Sequence, residues 1–183
     1  MQRLRARTLA RFRPTLVLVM VTPPLDAGNG EGVAAPASLP DVVVAMVSDH
    51  TGIALRKHLR AALEAEGVPA LDLGSEERDG QVDYPDYADR LAAALASGAA
   101  AYGVMLCGTG IGASIAANRR RHLRAALCVD PDMARLARQH NDANVLVLGA
   151  RRIAPEVAVA CLKVFLTTAF EQGRHARRVA KMS

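Results

Sequence analysis

Short apolar runs and segments with helical periodicity alternate along the chain from residue 41 onward. Five runs of strand length are predominantly apolar, which predicts strands that are buried on both faces. The predicted strands are 42–47, 70–73, 102–107, 124–129 and 145–148, and the predicted helices are 53–66, 87–97, 112–119, 130–139, 155–170 and 174–182. This alternation predicts an α/β fold: a three-layer α/β/α Rossmann-like sandwich with a five-stranded parallel sheet and a C-terminal helix.

The first 40 residues have a different pattern from the remainder. Five arginines stand against two acidic residues, an apolar run at 15–21 is too short to span a bilayer, and 23–40 is rich in Pro, Gly and Ala. A secretory signal cleaved near Ala35-Pro-Ala37, a transit peptide, or an upstream stretch that is not normally translated all fit. We favour the last. Residues 1–40 are therefore predicted to be a disordered extension, and 41–183 the folded domain.

Composition narrows the class of protein further. The net charge of +5 is concentrated in the extension, so the basic balance gives little support for nucleic-acid binding by the folded domain. Cys107, Cys128 and Cys161 are widely spaced and odd in number, which matches neither a zinc site nor a set of disulfides. Their pattern favours a reducing compartment and hence the cytoplasm. Cys128 and Cys161 are predicted to be structural.

The most informative segment is Val104-Met-Leu-Cys-Gly-Thr-Gly-Ile-Gly-Ala-Ser114, in which a cysteine ends a strand and opens a glycine loop. Successive glycines let backbone N–H groups converge on an anion, and a helix N-terminus adds positive potential there. A thiol at that place is biased toward thiolate. Cys107 is therefore either a base or nucleophile beside an oxyanion cradle, or a small buried hydrophobe that ends a core strand.

Polar side chains follow other predicted strands. Asp49-His50 follows the first strand, and is either an ordinary helix cap with a solvated histidine or a pair that holds sugar hydroxyls and a phosphate. His140-Asn141 closes the fourth helix, where Asn141 is either a left-handed C-cap or, with the imidazole, a group that transfers a proton to a ring oxygen and polarises a carbonyl. We expect both pairs at one edge of the sheet with Cys107.

The basic C-terminal segment offers an anion site. Arg174 and Arg178 stand four residues apart on one predicted helix face, with His175 beside them. Two guanidinium groups on one face suit a phosphate dianion, and Arg151 would add a third cation. The alternative is a solvated basic helix without a ligand.

A second chemistry also fits the glycine loop. Gly108-Thr-Gly110-Ile-Gly-Ala113 matches the dinucleotide-binding fingerprint formally, and Asp130 lies at a distance suited to a ribose. The fingerprint is weak alone, and this loop follows the third strand rather than the first. We rank nucleotide binding below a sugar-phosphate site.

Six motifs occur in order along the chain. They are Ser48-Asp-His-Thr-Gly52, Asp83-Tyr-Pro85, Cys107-Gly-Thr-Gly-Ile-Gly112, Ala116-Ala-Asn118, Arg138-Gln-His-Asn-Asp142 and Gly173-Arg-His-Ala-Arg-Arg178. Together they resemble the type B ribose-5-phosphate isomerases and the related lactose-pathway galactose-6-phosphate isomerase subunits. The resemblance covers about residues 41 to 180. Family members that use a carboxylate base lack the cysteine, so Cys107 supports the cysteine branch.

The resemblance implies a role for each candidate. Cys107 would be the base that moves a proton between C2 and C1 of the open-chain sugar phosphate. Asp49 and His140 would assist opening of the furanose ring. The enediolate would be stabilised by Thr109, Asn141 and the loop glycines Gly108, Gly110 and Gly112. The phosphate would be held by His50, Arg151, Arg174 and Arg178, with Tyr84 lining the pocket.

The resemblance also implies how the enzyme works. It would be an aldose–ketose isomerase without cofactor or metal, a homodimer or homotetramer whose active sites draw residues from two subunits. The expected reaction interconverts ribose 5-phosphate and ribulose 5-phosphate. The alternatives are isomerisation of galactose, allose or tetrulose phosphates, or a non-catalytic subunit that binds a sugar phosphate or nucleotide. A small-molecule partner is expected, with neither nucleic acid nor membrane.

Overall fold

The computed structural model describes residues 42–182, which form an open sheet covered by helices on both faces. The strands are β1 (Val44–Ser48), β2 (Ala70–Asp72), β3 (Tyr102–Cys107), β4 (Ala125–Leu127) and β5 (Val145–Gly149). The helices are α1 (Ile53–Ala65), α2 (Tyr84–Ala96), α3 (Ile111–Ala117), α4 (Pro131–Asn141), α5 (Pro155–Thr167) and α6 (Gly173–Val179).

All strand pairs are parallel, and the strand order is β2-β1-β3-β5-β4. Strand β2 lies on one side of β1, and β3 lies on the other side. The topological switch point therefore lies between β1 and β3. Ligands of such sheets bind in the crevice outside the carboxyl ends of the strands at this point. Asp49 follows β1 and Cys107 ends β3, which places both residues beside that crevice.

Alternate residues of the central strands enter two separate apolar layers. Val44, Met46 and Leu106 pack with α1, α4 and α5 on one face. Ala45, Val47 and Met105 pack with α2 and α3 on the other face. Because both faces are covered, the strands are predominantly apolar, as the apolar runs predicted; Ser48 and Asp72 are polar exceptions at strand ends, and both contact Arg56. The predicted fold class is confirmed.

The bounds of several helices differ from the sequence-based prediction. Helix α2 begins at Tyr84 rather than residue 87, because Pro85 fits the first turn of a helix. Helix α4 runs through Asn141, and Asp142 takes the left-handed conformation (φ 45°) that was expected of Asn141. Helix α5 ends at Thr167, so residues 168–172 form a connection instead of a last helical turn.

No helix among the described residues is long and apolar enough to cross a membrane. The predicted extension at residues 1–40 lies outside the described residues.

Candidate functional site

The thiol of Cys107 lies in the glycine loop between β3 and α3. Its Sγ accepts a hydrogen bond from the backbone N–H of Gly110 at 3.1 Å, a contact that stabilises negative charge on the sulfur. Gly110 has φ 78°, and a Cβ there would collide with Leu127. The loop is also fixed to β5, since the carbonyl of Cys107 accepts from the N–H of Ala150 at 2.8 Å. The sulfur therefore has one backbone donor, and the residue that carries it is bonded to the segment after β5.

Two predicted binding residues lie against the same loop. A Cβ built on Gly112 would approach Tyr84 Cζ within 2.5 Å, so only glycine lets the tyrosine ring lie on the loop. The Arg151 side chain passes Gly108, where a Cβ would lie 3.6 Å from its Nε atom, and the Arg151 N–H donates to the Gly108 carbonyl at 3.0 Å. An aromatic ring and a guanidinium thus flank the thiol loop. Thr109, at the tip of the loop, is exposed.

Asp49 and His50 form the second wall of the crevice. Asp49 is 5% exposed, and its Oδ1 accepts from the N–H and the hydroxyl of Thr51 at 2.9 and 2.5 Å. His50 Nδ1 accepts from the N–H of Val82 at 3.3 Å. This contact places the ring proton of neutral His50 on Nε2, where it is a donor for an anion.

Behind this wall lies Arg56, a fully buried cation. Its guanidinium donates to Ser48 Oγ at 2.5 Å and to the Ser75 carbonyl at 2.7 Å, and its Nε lies 2.9 Å from Asp72 Oδ1. Ser48 directly precedes Asp49, and the Ser75 segment leads to Val82, which contacts His50. Arg56 therefore joins the two segments that position the acid and the imidazole. A Cβ on Gly74 would collide with the same guanidinium.

Replacing Arg56 with methionine is expected to lower the free energy of unfolding by about 3–5 kcal/mol, because Asp72 and the Ser75 carbonyl would lose a buried partner. Urea unfolding followed by circular dichroism measures this loss. Arg60→Met is the matched control: this exposed side chain also reaches Asp72, at 3.4 Å, and its removal should cost less than about 1 kcal/mol. Equal losses in the two variants would contradict the role of Arg56.

The remaining predicted residues lie at the opposite edge of the sheet. The rings of His140 and His175 stack in parallel with centroids 4.3 Å apart, and Arg174 Nε lies 3.3 Å from His175 Nε2. Burial, His140, Arg174 and Arg178 lower the pKa of His175, and Glu171 opposes them. His140, Arg174, His175 and Arg178 therefore belong to one second cluster, formed by α4 and α6, and Asn141 follows His140 as the last residue of α4.

The expectation that all candidates meet at one edge is wrong within a single chain. Helix α4 runs antiparallel to the strands, so its last turn lies at their amino ends; Arg138 there donates to the hydroxyl of Tyr102, the first residue of β3. Cys107 is the last residue of that strand. The six residues of β3 separate the two edges by about 17 Å.

One group of side chains in the part of the chain that the structure describes has ligand atoms close enough for a metal ion: His140, Glu171 and His175. The two rings are parallel and stacked, so their lone pairs point along parallel lines and do not converge on one ion. The guanidinium of Arg174 also lies against His175. This arrangement fits an anion better than a cation.

The other two cysteines differ from Cys107 in their surroundings. Burial raises the pKa of the Cys128 thiol to about 12 and that of Cys161 to about 11, with further rises from neighbouring negative groups. Both side chains pack in the apolar layer formed by α1, α4 and α5. They are therefore neutral thiols at physiological pH, in agreement with the structural role predicted for them.

Sequence reasoning missed three residues around these clusters. Arg56 carried a signal, because it interrupts the apolar face of α1 between Leu55 and Leu59. Thr51 lies within the Ser48–Gly52 motif, but its hydrogen bonds to Asp49 were not predicted. Glu171 stands just before the Gly173–Arg178 motif, and its contacts with two imidazoles have no local signal.

Comparison with known proteins gives a consistent result. The family described as Ribose/Galactose Isomerase matches residues 44–182. Ribose-5-phosphate isomerase B of Escherichia coli is 41% identical over 136 residues, covering 74% of this chain and 91% of that protein.

Solved structures of similar fold are also ribose-5-phosphate isomerases. A ribose 5-phosphate isomerase from Thermotoga maritima superposes with a TM-score of 0.76 at 47% identity, covering 78% of this chain and 97% of that one. Ribose-5-phosphate isomerase B from Mycoplasma genitalium, solved with bound ribulose-5-phosphate, superposes with a TM-score of 0.74 at 37% identity, covering 78% and 94%. The chain therefore belongs to the ribose/galactose isomerase family.

Proposed function

We propose that this protein is an aldose–ketose isomerase that interconverts ribose 5-phosphate and ribulose 5-phosphate. The observation that carries the proposal is the thiol of Cys107, hydrogen-bonded by the Gly110 N–H in a crevice that Asp49 and His50 also border. Isomerisation needs one base that removes a proton from one carbon and returns it to the next. It also needs fixed donors for the oxyanion that forms between these steps.

The proton path follows from this arrangement. Cys107 as thiolate takes the proton from C2 of the open-chain aldose, and the electron pair moves through the new C1–C2 double bond onto the C1 oxygen, which gives an enediolate. The proton of the C2 hydroxyl passes to the C1 oxygen, the C2 carbonyl forms, and the thiol returns its proton to C1. The N–H groups around Gly108, Gly110 and Gly112, with Thr109, stabilise the enediolate oxygen. Asp49 accepts a proton from the sugar hydroxyl during ring opening, and Tyr84 lines the pocket.

The second cluster completes the site when it comes from another subunit. His140 donates a proton to the furanose oxygen, Asn141 contacts the enediolate, and Arg174, Arg178 and His175 bind the phosphate with His50 and Arg151. In one chain this cluster lies at the opposite edge from Cys107, so only a second copy can bring it close. We therefore propose a homodimer, alone or within a tetramer, with two shared sites.

An exposed apolar surface supports this assembly. Ile111 and Ile115 on α3 are 57% and 55% exposed, and Val129 and Met133 around the start of α4 are 52% and 42% exposed. Ile111 follows the Cys107 loop and Val129 follows β4, so both lie at the carboxyl edge with the thiol. Large exposed apolar side chains near a half-formed site are typical of an interface between subunits.

The chain is also proposed to work in the cytoplasm, with residues 41–183 as the isomerase domain and residues 1–40 as an extension without a catalytic part. The match of the family to residues 44–182 supports this division. Three buried or loop thiols without a disulfide among the described residues support a reducing compartment.

An isomerisation assay with purified protein tests the substrate. Ribose 5-phosphate, allose 6-phosphate, galactose 6-phosphate and a tetrulose phosphate are compared by kcat/KM, with and without a chelator. Ribose 5-phosphate is expected to have the highest value, unchanged by the chelator. A higher kcat/KM for another sugar phosphate would show that this sugar phosphate is the substrate instead. If none of the sugar phosphates is turned over, the alternative of a non-catalytic binding subunit is favoured. Loss of activity with the chelator would contradict a metal-free reaction.

Arg174→Ala and Arg178→Ala are each expected to raise KM for ribose 5-phosphate about tenfold to a hundredfold with a smaller change in kcat. Each removes a charge-assisted hydrogen bond to the phosphate, worth about 1.5–3 kcal/mol. Arg177→Ala is the matched control, an exposed arginine on the same helix. Steady-state kinetics give the values. An unchanged KM in both variants would contradict the phosphate site.

A further inference from the structure

Glu171 lies beside the two stacked imidazoles of the second cluster, at the edge formed by their Nε2 atoms. Its Oε2 is 3.7 Å from His140 Nε2 and 3.8 Å from His175 Nε2. The two rings are parallel within 1° and their centroids are 4.3 Å apart. One carboxylate oxygen therefore faces the same nitrogen of both rings.

The backbone fixes Glu171 in this place independently of its side chain. Its N–H donates to the carbonyl of Gln139 at 3.0 Å, one residue before His140. The next residue, Gln172, has φ 61°, a conformation that turns the chain sharply into α6 and carries His175 back toward α4. The connection between α5 and α6 thus delivers the carboxylate and the second ring together.

The charges around the pair are otherwise unfavourable for a protonated imidazole. Arg174 and Arg178 on α6 lower the pKa of His175, as do its burial and the neighbouring ring, whereas Glu171 raises it. On α4, Arg138 is paired with Asp142 at 2.9 Å, and Arg124 also contacts Asp142, at 2.8 Å. Asp142 is therefore engaged by two arginines. Among the residues that the structure describes, the carboxylate paired with both imidazoles within 4 Å is that of Glu171.

Two imidazoles at stacking distance repel each other when both are charged, which disfavours the binding of two protons by the pair. Proton donation to a furanose oxygen by His140 needs one proton to be present on the pair near neutral pH. The arginines that would bind phosphate work against it, and the carboxylate beside the two Nε2 atoms opposes their effect on the pKa of His175.

We propose that Glu171 is a positioning residue for the isomerase: it holds the His140–His175 stack in place and supplies the counter-charge for the single proton that the stack carries. The inference about catalysis rests on the proposed function. The inference about the stack rests on the contacts of Glu171 alone. The effect of Glu171 on the histidine titration and its effect on catalysis are therefore tested separately.

The test compares Glu171→Gln, Glu171→Asp and Glu64→Gln in the full chain. Glu64 is an exposed carboxylate on α1 that pairs with Arg60, so its loss controls for a general change of charge. Histidine ring signals are titrated by NMR between pH 5 and 8. In Glu171→Gln, proton uptake by the pair is expected about 0.5–1 pH unit lower than in the wild type, a modest shift because the carboxylate is 47% exposed. Glu171→Asp should restore at least half of the shift.

The pH profile of kcat for ribose 5-phosphate gives the second readout. The basic limb of the profile is expected to move to lower pH in Glu171→Gln by the same interval, with KM nearly unchanged at pH 6. Identical ring titrations in Glu171→Gln and the wild type would overturn the proposal, as would an equal shift in Glu64→Gln. A shifted titration without a shifted profile would overturn the catalytic part. If the wild type lacks isomerase activity, the proposed function fails while the NMR titration still decides the role of Glu171.

Discussion

Cys107→Ala is expected to reduce kcat for ribose 5-phosphate by about 10²–10⁴-fold, since general-base catalysis contributes about that factor. The substitution removes the sulfur that the Gly110 N–H contacts and leaves the glycine loop otherwise unchanged. Binding should be largely retained, because the groups proposed to hold the phosphate are intact. Turnover is measured by the formation of ribulose 5-phosphate, and binding by calorimetry.

Cys161→Ala is the matched control for this result. Cys161 is another buried free thiol, it packs in an apolar layer, and its raised pKa keeps it neutral. Its replacement should lower stability slightly and leave kcat within about twofold, as is usual for substitutions that remain away from the reacting atoms. Near-normal turnover by Cys107→Ala would exclude Cys107 as the base.

Two variants that have little activity at a low ribose 5-phosphate concentration, far below the raised KM of the arginine variant, are expected to restore activity when they are mixed. One is Cys107→Ala, and the other is the double variant Arg174→Ala/Arg178→Ala, which lacks the proposed phosphate arginines. In a mixed dimer with shared sites, one site receives both defects and the other receives none. Random exchange of subunits would therefore restore about a quarter of wild-type activity. The chains are mixed in equal amounts under mild denaturation, refolded, and assayed.

A mixture of Cys107→Ala with Cys107→Ala/Arg174→Ala/Arg178→Ala is the control, because each site in it lacks the thiol. It should stay inactive after the same treatment. If the first mixture also stays inactive although mass spectrometry detects mixed dimers, each site is formed by one chain, and the proposal of a shared site is wrong.

The fold was predictable from sequence because its strands are covered on both faces. Their predominantly apolar character distinguishes them from half-exposed strands, and the intervening helices fix the parallel direction. The residues around Cys107 were predictable for the same reason, since they follow the carboxyl ends of β1 and β3. The glycine-loop motif at Cys107 and the tendency of parallel sheets to bind ligands at the carboxyl ends of their strands both predict a site at this edge.

The position of His140 and Asn141 was predicted wrongly because helix direction was not taken into account. A helix that follows a parallel strand returns to the amino edge, so its C-terminal residues lie far from the strand ends that bind ligands. The resemblance also implies that sites are shared between subunits. That prediction is compatible with His140 and Asn141 at one edge of the sheet and Cys107 at the other. Motif order along the chain carries no information on which edge each motif reaches.

Contacts between distant segments could not be predicted. Arg56 bonds to Ser75 across 19 positions, and Glu171 approaches His140 from another helix connection. Both depend on how α1 and the α5–α6 connection pack, which hydrophobic periodicity does not specify. Each charged side chain was visible in the sequence, but its partner was not.

The collision between a Cβ at Gly74 and the guanidinium of Arg56 links two positions that are 18 residues apart. A methyl group at position 74 has no room while the arginine stays in place, and a shorter cation at 56 would lose its reach to the carbonyl of Ser75. A substitution at 74 therefore requires the guanidinium to move, and that movement costs the contacts of Arg56 with Ser48 and Ser75. In directed evolution of this chain, variants at 74 should be selected against.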